Sequence, residues 1–310
     1  MSNTALSTMW GIKRFPRFDD FFAAGQTAGF TCFELNHGVN SRMLDSIHLN
    51  GHRITSVHEP CPADVTPAEL KQRDWLISAT DEENRQYGVE AVGRSIDLAH
   101  RLGAAVVIVH PGRVVMDEAL ETTLRQLYTD GKRHTPEYER AKAHMVQVRA
   151  ERAAAPLQAV RRSLAELADH ASRRGVRLAL EVRDHYFEIP LIDELDELLA
   201  AGYGETVGYW HDVGHAQKSE YKGYGPHEAW LTRFADKMIG VHLHDICGME
   251  DHLAAGEGQI PWDMVARHLP SGILRTCEFR DANSPEQVAA GLRFLAERAL
   301  INGSSDNLLG

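Results

Sequence analysis

Residues 207–217 read VGYWHDVGHAQ, and residues 238–262 read MIGVHLHDICGMEDHLAAGEGQIPW. Each segment begins with a short apolar run and then changes abruptly to histidines and acids, namely Asp212, His215, His242, His244 and Asp245. A buried parallel strand that delivers polar side chains at its carboxyl end has this pattern. Imidazole and carboxylate groups at this density are typical ligands of Zn, Mn, Co or Fe. A lone histidine would more often be a satisfied core residue, but this cluster favours a divalent metal site.

Other apolar runs along the chain end in the same way, just before His58, His110, Glu181 and Glu278, and a shorter run ends near Glu34. Unbroken apolar runs fit parallel strands that are covered on both faces. Helical patterns separate these runs, so that strand and helix alternate about eight times along the chain. The alternation predicts an α/β fold, a single (β/α)8 barrel, whose functional side chains gather at the carboxyl ends of the strands. A doubly wound open sheet is the alternative, but no glycine-rich phosphate loop follows a strand.

The apolar spacing also predicts individual elements. A first strand is predicted at residues 8–15 and a helix at 41–50, and longer amphipathic helices are predicted at 81–102, 156–174 and 285–299. Residues 113–155 interrupt the rhythm with two charged helical stretches. This insertion is interpreted as a lid over the site, as a contact between copies in a homo-oligomer, or as a solvated excursion without a role. We expect one domain over residues 1–310 and a disordered tail from about residue 302.

Composition restricts the class of protein. The chain has 310 residues and a formal net charge of −11, and because a non-specific grip on nucleic acid needs a basic face, no nucleic-acid partner is expected. The four cysteines are widely separated and form no CxxC pair, which fits a reducing compartment. The sequence has no apolar signal core and no run of membrane-spanning length. A cytoplasmic protein without a membrane partner is therefore predicted.

The segments LALE, HDVGH, VHLHD and TCEF together resemble the xylose isomerase-like TIM-barrel superfamily. This superfamily includes sugar isomerases and epimerases and the endonuclease IV group of apurinic endonucleases. The resemblance extends from about Thr31 to Ala299. It implies a shared divalent-metal site, and in the epimerases two glutamates of that site also transfer the proton. The implied metal ligands in this chain are Glu181, Asp212, His242 and Glu278.

The endonuclease group has further metal ligands, and this chain offers a candidate for each. His58 and His110 match the histidines of its first metal. His215, Glu250 and His252 match its third site, although that group carries an aspartate at the position of Glu250. These five residues are predicted either as additional metal ligands or as substrate contacts. No segment of the chain matches the DNA-penetrating loops of the nuclease group.

Two functions follow from these residues. The first is a metal-dependent isomerisation or epimerisation of a sugar-like small molecule, in which Glu181 and Glu278 move the proton. The alternative is a phosphoesterase of the endonuclease IV type with two or three metals. The negative net charge favours a small polyol-like substrate over DNA. A barrel that binds no metal is the least favoured interpretation, because it would leave several buried acids unneutralised, which is costly in free energy. The predicted substrate contacts are Glu34, Arg183, Trp210 and His244.

Overall fold

Short buried strands alternate with helices in the computed structural model, which describes residues 4–301. Eight strands run parallel and close into a barrel. They are β1 (Thr4–Ser7), β2 (Cys32–Leu35), β3 (Arg53–His58), β4 (Val106–Val109), β5 (Arg177–Glu181), β6 (Val207–Asp212), β7 (Met238–Leu243) and β10 (Leu274–Cys277). Strand β10 pairs with β7 on one side and with β1 on the other, which closes the sheet. The predicted (β/α)8 barrel is thereby confirmed.

Twelve α-helices surround or extend the barrel in the described part of the chain, and a small hairpin projects from it. The helices are α1 (Phe18–Thr27), α2 (Ser41–Leu44), α3 (Pro67–Gln72), α4 (Glu82–Leu102), α5 (Ala119–Thr129), α6 (Pro136–Arg152), α7 (Ala154–Arg174), α8 (Ile192–Leu199), α9 (Val213–Lys222), α10 (His227–Arg233), α11 (Trp262–His268) and α12 (Pro285–Glu297). The hairpin follows β7 and consists of the antiparallel strands β8 (Asp245–Cys247) and β9 (Glu250–Leu253). Within residues 4–301, no helix combines the length and the apolarity needed to cross a membrane.

The two longest barrel helices end where their sequences indicate. The side chain of Asp81 accepts a hydrogen bond from the backbone N–H of Asn84 at 3.0 Å and so caps the start of α4. Gly103 and Gly175 end α4 and α7 in the left-handed conformation, with φ angles of 69° and 66°. The predicted helices 81–102 and 156–174 therefore match the structure to within two residues.

Two predicted elements are wrong in position or length. The first strand lies at β1 and not at residues 8–15, because the Ser7 side chain accepts a hydrogen bond from the N–H of Met9 and turns the chain into a 3-10 helix at Thr8–Trp10. The predicted helix 41–50 shortens to α2. Beyond it, the Ser46 hydroxyl donates to the carbonyl of Met43 and offers the backbone an alternative to further helix.

Alternation along the strands decides which side chains enter the barrel. The interior is filled by a buried apolar layer that includes Ile108 and Trp210, and residues two positions further on, such as His110 and Asp212, point the same way at the upper end. The intervening side chains, such as Val107, join the larger core between sheet and helices. The polar site therefore lies directly above a closed apolar floor.

The insertion at residues 113–155 contains the two expected helices, α5 and α6. Their apolar sides pack on each other and on aromatic residues of the loops after β5 and α9, among them Phe187, Tyr186 and Tyr224. This packing places the insertion beside the loops that follow the strand ends. Whether it acts as a lid or as an oligomer contact stays a prediction, and the tail predicted from about residue 302 lies outside the described residues.

Candidate metal centre

The four predicted metal ligands meet inside the barrel. One ligand atom from each of Glu181, Asp212, His242 and Glu278 lies within 4.8 Å of the others. Nδ1 of His242 lies 2.7 Å from Oε1 of Glu181, 3.3 Å from Oε2 of Glu278 and 3.5 Å from Oδ2 of Asp212. All four side chains are buried. This quartet of three carboxylates and one imidazole suits a divalent cation of the Mn, Fe, Co or Zn type.

Neighbouring side chains oppose the effect of burial on the carboxylates of the quartet. Burial alone would raise the pKa values of Glu181, Asp212 and Glu278, but neighbouring guanidinium and imidazole groups hold each pKa well below its ordinary value. The neighbours that lower them most are Arg183 and His58 for Glu181, His215 and His244 for Asp212, and His242 and His58 for Glu278.

The histidines carry the matching charge. Burial lowers the pKa of His58, but Glu181 and Glu278 outweigh it and raise the pKa to about 10. His242 is likewise held well above its ordinary pKa, against burial, chiefly by Glu278 and Glu34. Protons on these imidazoles neutralise the acids in the absence of another cation. A metal ion competes with protons for the same ligand atoms, so the cluster can exchange protons for a metal.

A second group of ligand atoms shares Glu181 with the quartet. His58, His110 and Glu181 bring ligand atoms within 4.8 Å of one another, and the Nε2 atoms of the two histidines are 2.6 Å apart. A guanidinium already contacts this group, because Nη1 of Arg183 lies 2.7 Å from Nε2 of His110 and donates to Oε2 of Glu181 at 2.6 Å. Arg183 thus places a positive charge beside this second group of ligand atoms.

A third group lies on the other side of the quartet and consists of His215, Asp251 and His252. Glu250, predicted as a metal ligand or substrate contact together with His215 and His252, lies outside this group, because its side chain is exposed and pairs with Arg280. The neighbouring Asp251 contributes the carboxylate instead, since successive residues of β9 point to opposite faces.

An ammonium group of the chain contacts the third group. Nζ of Lys218 donates to Oδ2 of Asp251 at 2.7 Å and to Oδ2 of Asp184 at 2.5 Å. Lys218 is almost completely buried, with 2% of its surface exposed. The charge of Asp251 is therefore balanced within the protein.

Backbone carbonyls fix the tautomers of both histidines in the third group. Nδ1 of His215 donates to the carbonyl of Val182 at 3.0 Å, and Nδ1 of His252 donates to the carbonyl of Glu278 at 3.1 Å. His252 is also held at a φ of 56°, which is unusual for a residue other than glycine. With Nδ1 engaged, the Nε2 atoms of both rings offer lone pairs, the arrangement common among metal-binding histidines.

Three of the predicted substrate contacts lie next to residues of the quartet. Glu34 accepts a hydrogen bond from Ser56 at 2.8 Å and lies 3.1 Å from Nε2 of His242. Nε2 of His244 lies 3.0 Å from Oδ1 of Asp212. Trp210 is fully buried, with its ring centroid 5.1 Å from that of His242. Trp210, predicted as a substrate contact, lies in the apolar floor below the quartet, because strand alternation turns its ring inward.

The fourth, Arg183, borders the opening. A cavity of about 240 Å³, termed here the mouth pocket, extends from the metal-ligand groups to the loops after β3, β4 and β5. Its polar walls are formed by His37, Glu59, Lys71, His110, Arg113, Arg183 and Glu188, and its apolar walls include Leu70, Leu76 and Phe187. A small ligand in this pocket would contact His110 and Arg183 at its inner end.

Comparison with known proteins agrees with this geometry. The sequence model described as xylose isomerase-like TIM barrel matches residues 22–298. The chain belongs to this family. A curated relative, the uncharacterized protein y4fM of Sinorhizobium fredii (strain NBRC 101917 / NGR234), is 24% identical over 237 residues, which cover 74% of this chain and 63% of the relative. The chain thus spans less than two thirds of that relative's length.

Solved structures share the fold of this family member at low sequence identity. A D-tagatose 3-epimerase-like protein is 18% identical with a TM-score of 0.68, and the match covers 97% of each chain. A 3-keto-D-glucoside 4-epimerase from E. coli is 14% identical with a TM-score of 0.63, covering 96% of this chain and 100% of the other. The IolI protein, solved with a bound zinc atom, is 13% identical with a TM-score of 0.64, covering 96% and 98%.

Several residues of the site escape sequence reasoning. Asp251 and Glu250 lie on opposite faces of a four-residue strand, and no pattern in so short a segment reveals which of the two faces the site. Lys218 stands on the first helical turns after β6, three residues beyond His215, and this spacing on one helix face was an available signal. Lys71 lies on the short helix α3 and Arg113 lies in the loop after β4, and neither segment has a sequence motif that indicates a binding site.

Proposed function

We propose that this family member is a divalent-metal-dependent isomerase or epimerase of a sugar or sugar-like hydroxycarbonyl compound. The observation that carries the proposal is the charge arrangement around the quartet. The quartet places two glutamates and one aspartate around one candidate metal position, while Arg183 and Lys218 contact two flanking ligand groups. A further group, formed by Glu34, His58, His242 and Glu278, shares two of its residues with the quartet. This arrangement favours one metal beside two glutamates over a cluster of two or three metals. The sugar epimerases that share the fold support the same reaction class.

The residues present fit a resident divalent cation. Oε1 of Glu278 and Nδ1 of His58 are buried and, within the described chain, make no hydrogen bond, so ligand atoms are available in the site. Glu181, Asp212, His242 and Glu278 would hold the ion, and Mn, Zn, Co or Fe would suit them. Bound there, the ion would polarise a carbonyl and a neighbouring hydroxyl group of the substrate.

The two glutamates differ in their freedom to accept a proton. Oε1 of Glu181 lies 2.7 Å from His242, and its Oε2 accepts from Arg183 and lies 2.7 Å from His110. Oε1 of Glu278 makes no hydrogen bond among residues 4–301 and is 3.6 Å from Nδ1 of His58. Glu278 is therefore the base that we assign to removal of the substrate proton, and it then releases this proton to solvent. Glu181 would first take up a proton of its own and then deliver it to the substrate.

The proposal includes the cellular location, the binding partner and the oligomeric state of the protein. Three of the four cysteines are buried and all four are free in the structure, which supports a reducing, cytoplasmic location. We propose a small sugar-like molecule as the partner, with neither nucleic acid nor membrane. A homo-oligomer belongs to the same proposal, and the insertion with α5 and α6 is interpreted either as its contact or as a lid over the site.

A second function is favoured by one specific observation. His215 and His252 each present an Nε2 lone pair beside Asp251, and His58 and His110 stand beside Glu181, so ligand atoms for three metals exist. Metals at these positions would suit a phosphoesterase, in which adjacent ions activate water and neutralise a phosphate. This function requires Arg183 and Lys218 to move away from the carboxylates that they contact.

The experiment that tests the proposal is proton exchange in deuterated water. The Mn- or Zn-loaded protein is incubated with a panel of ketoses and their phosphates, and deuterium beside the carbonyl is followed by mass spectrometry and NMR. The proposal expects a cognate compound to gain deuterium or to convert into its isomer. Hydrolysis of a phosphate ester in the same panel, without exchange or isomerisation of any member, would contradict it and favour the phosphoesterase.

A further inference from the structure

The mouth pocket concentrates positive charge in an acidic protein. Three cationic side chains, Lys71, Arg113 and Arg183, line this cavity of about 240 Å³ from three different elements. Lys71 lies on α3, Arg113 follows β4, and Arg183 follows β5. The chain as a whole carries a net charge of −11. A local group of three cations in such a chain would focus a positive potential at the entrance to the site.

The two acids on the pocket wall only partly balance these cations. Oε1 of Glu59 accepts a hydrogen bond from the backbone N–H of His110 at 2.9 Å, so this carboxyl group is engaged with the wall. Glu188 lies 3.3 Å from Nη2 of Arg183 and also accepts from the N–H of His185 at 3.1 Å. Neither acid contacts Lys71 or Arg113 within salt-bridge distance.

Lys71 and Arg113 share one exposed counter-ion. Oε1 of Glu118 lies 2.8 Å from Nζ of Lys71 and 2.7 Å from Nη1 of Arg113, so a single carboxylate oxygen serves both cations. The side chain of Glu118 is 49% exposed. Exposed ion pairs are held weakly, and an oxyanion of a ligand can therefore replace or join Glu118 at little cost.

Both guanidinium groups on the pocket retain an unused buried donor. The Nε–H groups of Arg113 and Arg183 are buried and make no hydrogen bond within the described residues. The Arg113 fork is otherwise oriented by the carbonyl of Lys71, which accepts from Nη2 at 3.0 Å. Guanidinium groups fixed in this way are suited to charge-assisted hydrogen bonds with carboxylate or phosphate oxygens.

From this arrangement we propose that the substrate carries an anionic group, a phosphate or a carboxylate, which Lys71 and Arg113 bind at the outer end of the mouth pocket. Arg183 lies between this anion site and the quartet, so that the hydroxycarbonyl end of the same molecule reaches the metal ligands. The inference rests on the proposed function, because it assigns the reacting end of the substrate to the quartet. It narrows the substrate class from sugars in general to sugar phosphates or sugar acids.

The first test is calorimetric titration of the metal-loaded protein with inorganic phosphate at low, fixed ionic strength. The variants are Lys71→Met and Arg113→Gln, and the matched control is Lys132→Met, which removes an exposed lysine of the insertion that pairs with Glu137. Saturable binding is expected in the wild type and in the control. Each pocket variant should bind phosphate roughly tenfold more weakly or worse, the loss expected for one charge-assisted hydrogen bond. Thermal melts check that all variants remain folded.

A second titration separates the two sources of the anion. A ketohexose, its 6-phosphate and the corresponding keto acid are compared in wild type and variants. The inference is supported if wild type binds the phosphate or the acid more tightly than the neutral sugar and if both pocket variants lose this preference. The preferred ligand then identifies the anionic group. The inference is overturned by equal binding of the anionic ligands to wild type and pocket variants, or by the absence of any preference for the phosphate or the keto acid over the neutral sugar. Because binding is measured without turnover, this result is independent of the exchange experiment that tests the proposed function.

Discussion

Glu181 and Glu278 are the same residue type at the ends of two barrel strands, but their surroundings differ. Both oxygens of Glu181 contact His242, His110 or Arg183, whereas Oε1 of Glu278 makes no hydrogen bond in the described part of the molecule. Proton transfer needs an oxygen that can reach the substrate. This difference is the structural basis for assigning the first proton abstraction to Glu278.

Substitution of Glu278 should therefore separate chemistry from folding. In Glu278→Gln the shape and one ligand oxygen remain, but the oxygen that accepts the proton is replaced by an amide. Turnover and deuterium exchange should fall by roughly 10²–10⁴-fold, the usual contribution of a positioned base, while weak metal binding persists. The exchange rate by NMR checks this result. An exposed substitution, Glu286→Gln on α12, serves as the matched control, and unchanged exchange in Glu278→Gln would contradict the assignment.

Asp212 should be needed for metal binding but not for the fold. Its Oδ1 accepts a hydrogen bond from the N–H of His215 at 2.7 Å and caps α9. Asp212→Asn keeps an oxygen for this cap but removes the carboxylate charge, so metal content should fall well below one equivalent with little change in circular dichroism. Asp236→Asn, on the surface, is the control. Full metal content in Asp212→Asn, measured by elemental analysis, would remove Asp212 from the quartet.

At the residue scale, strand ends made much of the site predictable. Glu181, Asp212 and His242 end apolar runs, and such runs in parallel strands point their last side chains into the barrel mouth. The sequence does not distinguish Glu250 from Asp251, because the register of a short hairpin is set by its turn and not by a visible pattern. The sequence shows where the strand of Trp210 ends, but it does not show which alternate residues lie above the apolar floor.

At the scale of elements, a buried ionic network ties the insertion to the barrel. Nζ of Lys222 on α9 donates to Oε1 of Glu121 on α5 at 2.9 Å and to Oδ1 of Asp184 after β5 at 3.1 Å. Asp184 also accepts from Lys218, which holds Asp251 of the third ligand group. The inserted helix is therefore connected to the site through alternating buried charges.

Removal of the central cation should destabilise the protein strongly. In Lys222→Met the carboxylates of Glu121 and Asp184 lose a shared ammonium in a fully buried position. Breaking a buried ion pair by removing one partner typically costs about 3–5 kcal/mol. Lys132→Met, which removes an exposed pair with Glu137, should cost less than about 1 kcal/mol. Urea unfolding measures both variants, and equal stabilities would show that the network contributes nothing.

The same network predicts how the stability difference between wild type and Lys222→Met depends on pH. Burial alone would raise the pKa of Asp184, but Lys222 and Lys218 hold it well below its ordinary value, and the pKa of Glu121 is also lowered. A lowered folded-state pKa contributes stability above the unfolded value of about 4, and this stability is lost as pH falls through the folded pKa. The difference between wild type and Lys222→Met should thus shrink below about pH 4. A difference that stays constant from pH 7 to pH 3 would argue against the ion network.

Elements with strong periodicity and good caps were predictable, and short ones were not. The spacing of apolar residues in α4 and α7, followed by glycine, marks their ends almost to the residue. β1 has only four residues and depends on hydrogen bonds to strands that lie far away in sequence. No local pattern distinguishes such a strand from the 3-10 helix that follows it, which explains the misplaced first strand.

At the scale of the whole molecule, the barrel collects ligands from strands that are far apart in sequence. Glu34 and Glu278 are separated by most of the chain, but both contact His242 because β10 closes the sheet next to β1 and β7. Alternation of strands and helices made this closure predictable. The number of metals was not predictable, since it depends on the placement of Arg183 and Lys218 beside the flanking ligand groups.

The central claim, a single metal beside two glutamates, is tested most directly by counting metals. The purified protein is loaded with Mn or Zn, dialysed against metal-free buffer, and analysed by inductively coupled plasma mass spectrometry against a protein concentration from amino-acid analysis. Because Arg183 and Lys218 already balance the two flanking groups, one metal per chain is expected. Retention of two or three metals per chain would contradict the claim and favour the phosphoesterase, and retention of none would exclude the metal centre.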